Sequence, residues 1–216
     1  MVYSKHLLRL IAVTIFAGVV PLKAAVAEDA IFAGGCFWCV ESDFESLPGV
    51  IDAQSGYIGG PADKADYKTV SKGGTGHYEA VLIRFDPAKI SYASLLHKFW
   101  RSVDPTDAGG QFCDRGDSYR TAVFPVNAAQ EKTARASKAK AEAALGQRIV
   151  TPILKAPAFY PAEAYHQDYY KSSKKVLTRF GLVKRKDAYK KYRDACGRDQ
   201  RIRALWGAEA HSLPNG

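Results

Sequence analysis

After Met1 the 216-residue chain contains no methionine. Methionine is readily oxidised to its sulfoxide, so a chain without it suits surroundings rich in oxidants. Long apolar runs are also missing. Leu10 to Val20 is largely apolar but has only eleven residues, short of the roughly 20 needed to cross a bilayer, and no stable membrane association is expected. There is no Gly-x-Gly-x-x-Gly after a strand and no Gly-Lys-Ser/Thr phosphate loop, so no nucleotide or flavin site is indicated. A second paired cysteine motif is absent as well, which argues against a four-thiolate zinc site and leaves no metal expected. No repeat or domain linker is visible.

The first 27 residues read as a secretory signal peptide. Lys5, His6 and Arg9 form a basic opening, the apolar run follows, and Ala25-Val26-Ala27 is an A-x-A cleavage site. Residues 28–216 then form a single catalytic domain with a basic C-terminal segment, exported to a periplasm or secreted. Removing Lys5, Arg9 and Lys23 from the formal charge of +9 leaves +6. The surplus lies between Lys171 and Arg203, where Asp187, Asp194 and Asp199 interrupt it. Without a binding motif this is a solvated basic face and not a nucleic-acid patch.

Four cysteines remain: Cys36, Cys39, Cys113 and Cys196. In an oxidising compartment they could form two structural disulfides with three possible pairings. The setting of the first two suggests chemistry. Ala30 to Ala33 reads as a buried strand, Gly34-Gly35 as a turn, and Phe37, Val40, Phe44 and Leu47 recur at helical spacing. Cys36 therefore sits in the first turn of a helix, where free N–H groups and the helix dipole favour a thiolate. The plainer alternative is a buried structural cysteine.

Further along, Val50 to Tyr57 reads as a strand and Gly59 to Gly76 as a long loop carrying Tyr67. Tyr78 to Phe85 alternates so that Glu79 shares a face with Val81, Ile83 and Phe85. Burial there would keep the carboxyl protonated; at a wet strand end it would ionise. Ser91 to Val103 reads as a helix, Asp104 to Gly116 as a loop holding Cys113 and Asp114, and Tyr119 to Phe124 as a strand. Asn127 to Leu145 reads as a helix opened by a capping box of Asn127 and Gln130. Val150 to Leu154 reads as a short strand and Pro161 to Ser172 as a helix. Irregular alternation of this kind indicates an α+β fold.

Four motifs occur in order: Gly34-Gly35-Cys36-Phe37-Trp38, Gly76-His77-Tyr78-Glu79-Ala80-Val81, Asp114-Arg115-Gly116-Asp117-Ser118-Tyr119-Arg120-Thr121-Ala122, and Ala164-Tyr165-His166-Gln167-Asp168-Tyr169. Together they closely resemble the A-type peptide-methionine sulfoxide reductases, over roughly Ala30 to Tyr170. The resemblance implies an α+β two-layer sandwich with a ferredoxin-like core. It implies reduction of the S epimer of methionine sulfoxide, free or in oxidised proteins, with no cofactor beyond a thioredoxin-like dithiol reductant. It makes Cys36 the nucleophile, Glu79 the acid, and Tyr67 and Tyr119 the holders of the sulfoxide oxygen. Phe37 and Trp38 become the methyl pocket, and Asp114 an acidic contact to the substrate region.

The residue types suit that chemistry. A sulfoxide sulfur accepts a thiolate only when its oxygen is protonated or strongly hydrogen-bonded, which needs a neutral donor and phenol hydroxyls near the nucleophile. The leftover sulfenic acid condenses with a second thiol. In many members of that family the resolver lies in a flexible C-terminal segment, so the resemblance favours Cys196, beside Gly197, as resolver; Cys39 comes next, and Cys113, next to Asp114, could also approach. A monomer is expected. Two rivals stay open: a thiol–disulfide oxidoreductase built on Cys36 and Cys39, and a non-catalytic module held by disulfides or zinc.

Overall fold

The computed structural model describes residues 26–214. Nearly all of the leader expected over residues 1–27 therefore lies outside the described part. Among the described residues no helix is long and apolar enough to cross a membrane.

Two strand–helix–strand units form the frame. Strand β1 (Glu28–Gly34) leads through helix α1 (Phe37–Glu45) to β2 (Val50–Ile58). After the short helix α2 (Tyr67–Val70), β3 (Tyr78–Phe85) leads through α3 (Tyr92–Trp100) toward the later strands. A two-stranded ladder, β4 (Gly110–Gln111) with β5 (Asp114–Arg115), precedes β6 (Thr121–Phe124). Helix α4 (Ala128–Leu145) and the edge strand β7 (Phe159–Pro161) follow. The sheet order is β6-β1-β3-β2-β7 with every pair antiparallel. Without β7 this is the ferredoxin-like order, in which β3 is inserted between β1 and β2. The chain closes with the hairpin β8 (Lys175–Thr178) and β9 (Gly181–Lys184), then α5 (Arg185–Ala195) and α6 (Arg198–Trp206).

Alternation along β3 divides the core as the sequence predicts. Val81, Ile83 and Phe85 join Phe32, Phe37, Val40, Phe44, Leu95 and Phe99 on the helical side. Ala80 joins Ile31, Ala33, Ile58 and Phe124 on the other side, where Leu154, Ala156 and Phe159 give partial cover from irregular chain. The result is two layers. Burying a side chain such as Phe99 or Leu95 contributes roughly 1.5–3 kcal/mol each. Trp100 donates its indole N–H to Ser137 Oγ at 2.9 Å and so fastens α4 to α3.

Caps explain several boundaries. Ser91 and Asn127 accept from the N–H groups of Ser94 and Gln130, and Gly146 closes α4 in the left-handed conformation. The Gln130 side chain does not complete a capping box. Its amide donates to Asp29 O, and its oxygen accepts from Val126 N.

Three readings differ from the structure. Residues 161–172 are not an α-helix: β7 gives way to turns and a short 3-10 segment, Tyr169–Lys171. The cause is capture of the backbone by distant side chains. Glu41 accepts from Asp168 N at 2.6 Å, and the Gln167 amide bonds both Ser55 N and Ser55 O at 2.9 Å. Val150 to Leu154 supplies only an isolated bridge, Ile153 to Val123. The basic segment is only partly a solvated face: Arg198 is buried and donates to Gly34 O and Ser102 O.

The turn after β1 has no slack. Gly35 has φ +80°, and a Cβ there would stand 2.5 Å from Gln111 Cβ. Gly35→Ala should therefore cost about 2–4 kcal/mol from strain and overpacking, measured by urea denaturation. A loss below 0.5 kcal/mol, the range of ordinary surface changes, would show that the turn relaxes.

Candidate active site

Cys36 is the N-cap residue of α1, its carbonyl accepting from Cys39 N at 3.0 Å. The next N–H, that of Phe37, donates to Glu79 Oε2 at 3.0 Å. This single contact ties the helix that carries the thiol to the strand that carries the acid. Glu79 is 2% exposed. Burial pushes its carboxyl up to about 8, the nearby Asp114 adds to the shift, and the Phe37 N–H partly opposes it. A neutral Glu79 at neutral pH is what the alternation along β3 predicts.

The structure brings the other expected residues to the same place. A cavity of about 440 Å³ is lined by Cys36, Phe37, Trp38, Tyr67, Glu79, Asp114 and Tyr119, together with the remaining cysteines Cys39, Cys113 and Cys196. Tyr67 opens α2, whose cap is Asp66, accepting from Thr69 N at 3.0 Å. Tyr119 ends the 3-10 turn before β6. Burial, then the charge of Glu79, raises both phenols above their ordinary value, so each stays a hydroxyl donor. Burial likewise raises Asp114, against the pull of Arg198.

The thiols depart from the expectation drawn from the helix terminus. Cys36 is raised, first by donating its proton to Cys39 and then by burial. Cys39 is lowered because it accepts from Cys36 and faces Arg198 and Arg193, while burial and Asp43 oppose. Those arginines are held firmly: Arg193 reaches Asp43 at 2.9 Å and Asp199 at 2.6 Å.

Cys196 is not a free thiol in a flexible tail. It caps the C-terminus of α5 and is bonded to Cys113, so only Cys36 and Cys39 are free. Sequence spacing offers no signal for a pairing across 83 residues.

Two contributors were not singled out from the sequence. Glu163 accepts from Tyr67 N at 3.0 Å and from the Tyr57 hydroxyl at 2.9 Å, and so positions α2. His166 is 2% exposed with both ring nitrogens unbonded. It sits among Tyr67, Phe37 and Trp38, at centroid distances of 4.3, 5.0 and 5.5 Å. Burial lowers it to about 4, so it is a neutral ring backing the aromatic wall. Trp38 is also stacked on Tyr169 at 3.8 Å. The only hint was the position of both residues in or beside the fourth motif.

The state of Glu79 has a thermodynamic signature. Unfolded, it ionises near 4.5; folded, it keeps its proton up to about 8. The folded form binds more protons between those limits, so this contribution to stability is complete below pH 4.5 and lost as pH rises to about 8. Glu41, raised to about 7 chiefly by burial, acts in the same direction. Glu79→Gln should make the fall in stability over this window shallower and leave the share from Glu41, as read by urea unfolding at a series of pH values. Identical slopes would mean that Glu79 is ionised in the folded protein.

Comparison with known proteins agrees with this geometry. Residues 28–201 match the family model of peptide methionine sulfoxide reductase. The chain is 47% identical over 192 residues to peptide methionine sulfoxide reductase MsrA 2 of Rhizobium meliloti, covering 89% of this chain and 90% of the relative. It is 45% identical over 186 residues to peptide methionine sulfoxide reductase MsrA of Bacillus licheniformis, covering 83% and 94%. Among solved structures, reduced Mxr1 from Saccharomyces cerevisiae aligns with a TM-score of 0.64 at 30% identity, covering 66% of this chain and 83% of that one. Methionine sulfoxide reductase A of Corynebacterium diphtheriae aligns with a TM-score of 0.60 at 31% identity, covering 66% and 73%.

Proposed function

The chain belongs to the peptide methionine sulfoxide reductase family, and from that premise we propose how its residues reduce the S epimer of methionine sulfoxide, free or in proteins. The observation that carries the reading is the meeting in one cavity of the Cys36 thiol, the buried Glu79 held by Phe37 N, and the hydroxyls of Tyr67 and Tyr119. The S-methyl group rests on Phe37 and Trp38 through apolar and sulfur–aromatic contact. Asp114 bounds the substrate region.

Cys36 passes its proton to Cys39 and attacks the sulfoxide sulfur. Glu79 protonates the oxygen, which Tyr67 and Tyr119 hold by hydrogen bonds. Attack joins Cys36 Sγ to the substrate sulfur; the protonated oxygen then passes to Cys36 Sγ as the substrate S–O bond and the new S–S bond both break, so methionine leaves as the thioether and Cys36 is left as a sulfenic acid. In the oxidation state of this structure the free thiol beside it is Cys39. Cys39 attacks the sulfenic sulfur, a Cys36–Cys39 disulfide forms, and water departs. Cys196 enters as a resolver only after its bond to Cys113 has been reduced.

The cycle ends oxidised, so two electrons must come from outside, and a thioredoxin-like dithiol protein supplies the right chemistry without a bound cofactor. The basic, apolar and A-x-A order of residues 1–27 supports export, so the protein works as a periplasmic or secreted monomer that repairs oxidised proteins.

Single-turnover assays on the two separated epimers test this. Pre-reduced wild type should consume only the S epimer, and Cys36→Ser neither. Glu79→Gln should slow reduction about 10²- to 10⁴-fold, the range for a lost general acid. Cys39→Ser, used without pre-reduction so that Cys113–Cys196 stays bonded, should still complete one turnover and leave a sulfenic acid that a 1,3-diketone probe captures. A Glu79→Gln variant as fast as wild type, or thiol–disulfide exchange without sulfoxide reduction, would favour the disulfide oxidoreductase rival.

A further inference from the structure

The β8–β9 hairpin forms a sheet of its own, and its two faces differ. Val176 and Val183, directly opposite each other, pack inward against Cys39, Tyr169 and Tyr189. The next pair, Leu177 and Leu182, points outward and is 79% and 64% exposed. By the two-residue period of a strand the same outer face carries Lys175, which stands opposite Lys184. Like charges directly opposed weaken a sheet, and large side chains this bare gain little from folding. Among the described residues no contact accounts for this strip of two leucines and two lysines. It also adjoins the site, because Val176, Leu177, Thr178 and Arg179 form part of the wall of the cavity that holds Cys36.

We propose that the outer face of β8–β9 is the docking strip for the polypeptide that carries the oxidised methionine. The occupant is an extended, unfolded segment with an apolar residue on Leu177 and Leu182 and a carboxylate on the Lys175–Lys184 pair. The inference rests on the reductase reading above. A sulfoxide side chain that enters the cavity leaves its own backbone at the rim, and β8 is part of that rim. An apolar contact and one charge contact suffice to hold such a segment with little demand on its sequence, as repair of many proteins requires. Strand edges commonly receive extended peptides through main-chain hydrogen bonds, and β8 is paired on one side only. The charge of the strip selects acidic over basic flanks.

The test compares three substrates: N-acetyl methionine sulfoxide amide, and two unstructured peptides with one sulfoxide between apolar residues, flanked by Glu or by Lys. Wild type should prefer the Glu peptide over the Lys peptide in kcat/KM by about fivefold, the range of exposed ion pairs. The Lys175→Glu/Lys184→Glu double variant should reverse the preference, and Leu182→Asp should raise KM for both peptides. Both variants leave the cavity wall untouched, so kcat/KM for the small substrate stays at the wild-type value. An unaltered charge preference, or an equal loss on all three substrates, would overturn the proposal. An effect confined to turnover with a protein dithiol, absent from single turnover, would assign the strip to the reductant and likewise overturn it. If wild type fails to reduce the small substrate, the reductase reading itself falls.

Discussion

The hydrogen bond from Phe37 N to Glu79 Oε2 holds the site together, and it makes two opposing demands. To donate to the carboxyl, α1 must begin beside the start of β3, with Cys36 one residue ahead of the donor. To keep the carboxyl neutral, the same place must be dry, although a hydrogen bond from an N–H favours the charged form. Desolvation wins: Glu79 stays protonated to about 8. The N–H then orients an acid whose proton remains available, which is what a donor to a sulfoxide oxygen needs. Because Phe37 N is used this way, the helix terminus has one donor fewer for Cys36. Burial and Cys39 raise the Cys36 thiol, while Arg198 and Arg193 help lower Cys39.

The C-terminal segment brings both of these arginines toward Cys39. Arg193 and Arg198 are costly to bury, and each is compensated locally. Arg193 has Asp43 and Asp199, while Arg198 has two carbonyls and the ring of Phe112 at 4.7 Å. Arg198 reaches Gly34 O at the end of β1 and Ser102 O after α3, so the last part of the chain is fastened to the strand that leads into Cys36 and to the turn that follows α3. The same cations lower Cys39. Stability of the tail and reactivity of the pair thus have one electrostatic origin, and Cys113–Cys196 adds a covalent tie between the tail and the loop carrying Asp114.

How legible the site was depended on the range of the interactions. Cys36 could be read because strand, glycine turn and helix are contiguous, and Glu79 because alternation in β3 is local. Tyr67, at the start of a one-turn helix, and Tyr119, at the end of a 3-10 turn, give no signal of their own; only the ordered motifs of the resemblance single them out. Residues 161–172 were misread as a helix because the spacing of Tyr165, Tyr169 and Tyr170 imitates one, whereas the N–H of Asp168 is taken by Glu41, 127 residues away. The pairing of Cys196 with Cys113 was hidden for the same reason. Position Gln130 shows a milder case: a local cap forms, but a tertiary partner, Asp29 O, takes the side chain.

His166 and Glu163 show what a family motif encodes besides the reacting groups. An imidazole with both nitrogens unbonded is an expensive thing to bury, and here it replaces what could have been a phenylalanine. Its neighbours give a reason for a polar ring. Glu163 Oε2 lies 4.0 Å from Nε2, and the same carboxylate fixes Tyr67 N and Tyr57 OH. The Glu163 charge pulls His166 toward the protonated form, yet burial keeps it neutral. The wall behind Phe37 and Trp38 is therefore uncharged, while Glu163 stays ionised and holds Tyr67 in place. A neutral imidazole and an ionised carboxylate thus stand side by side through burial of the one and partial exposure of the other, and burial likewise keeps Glu79 neutral.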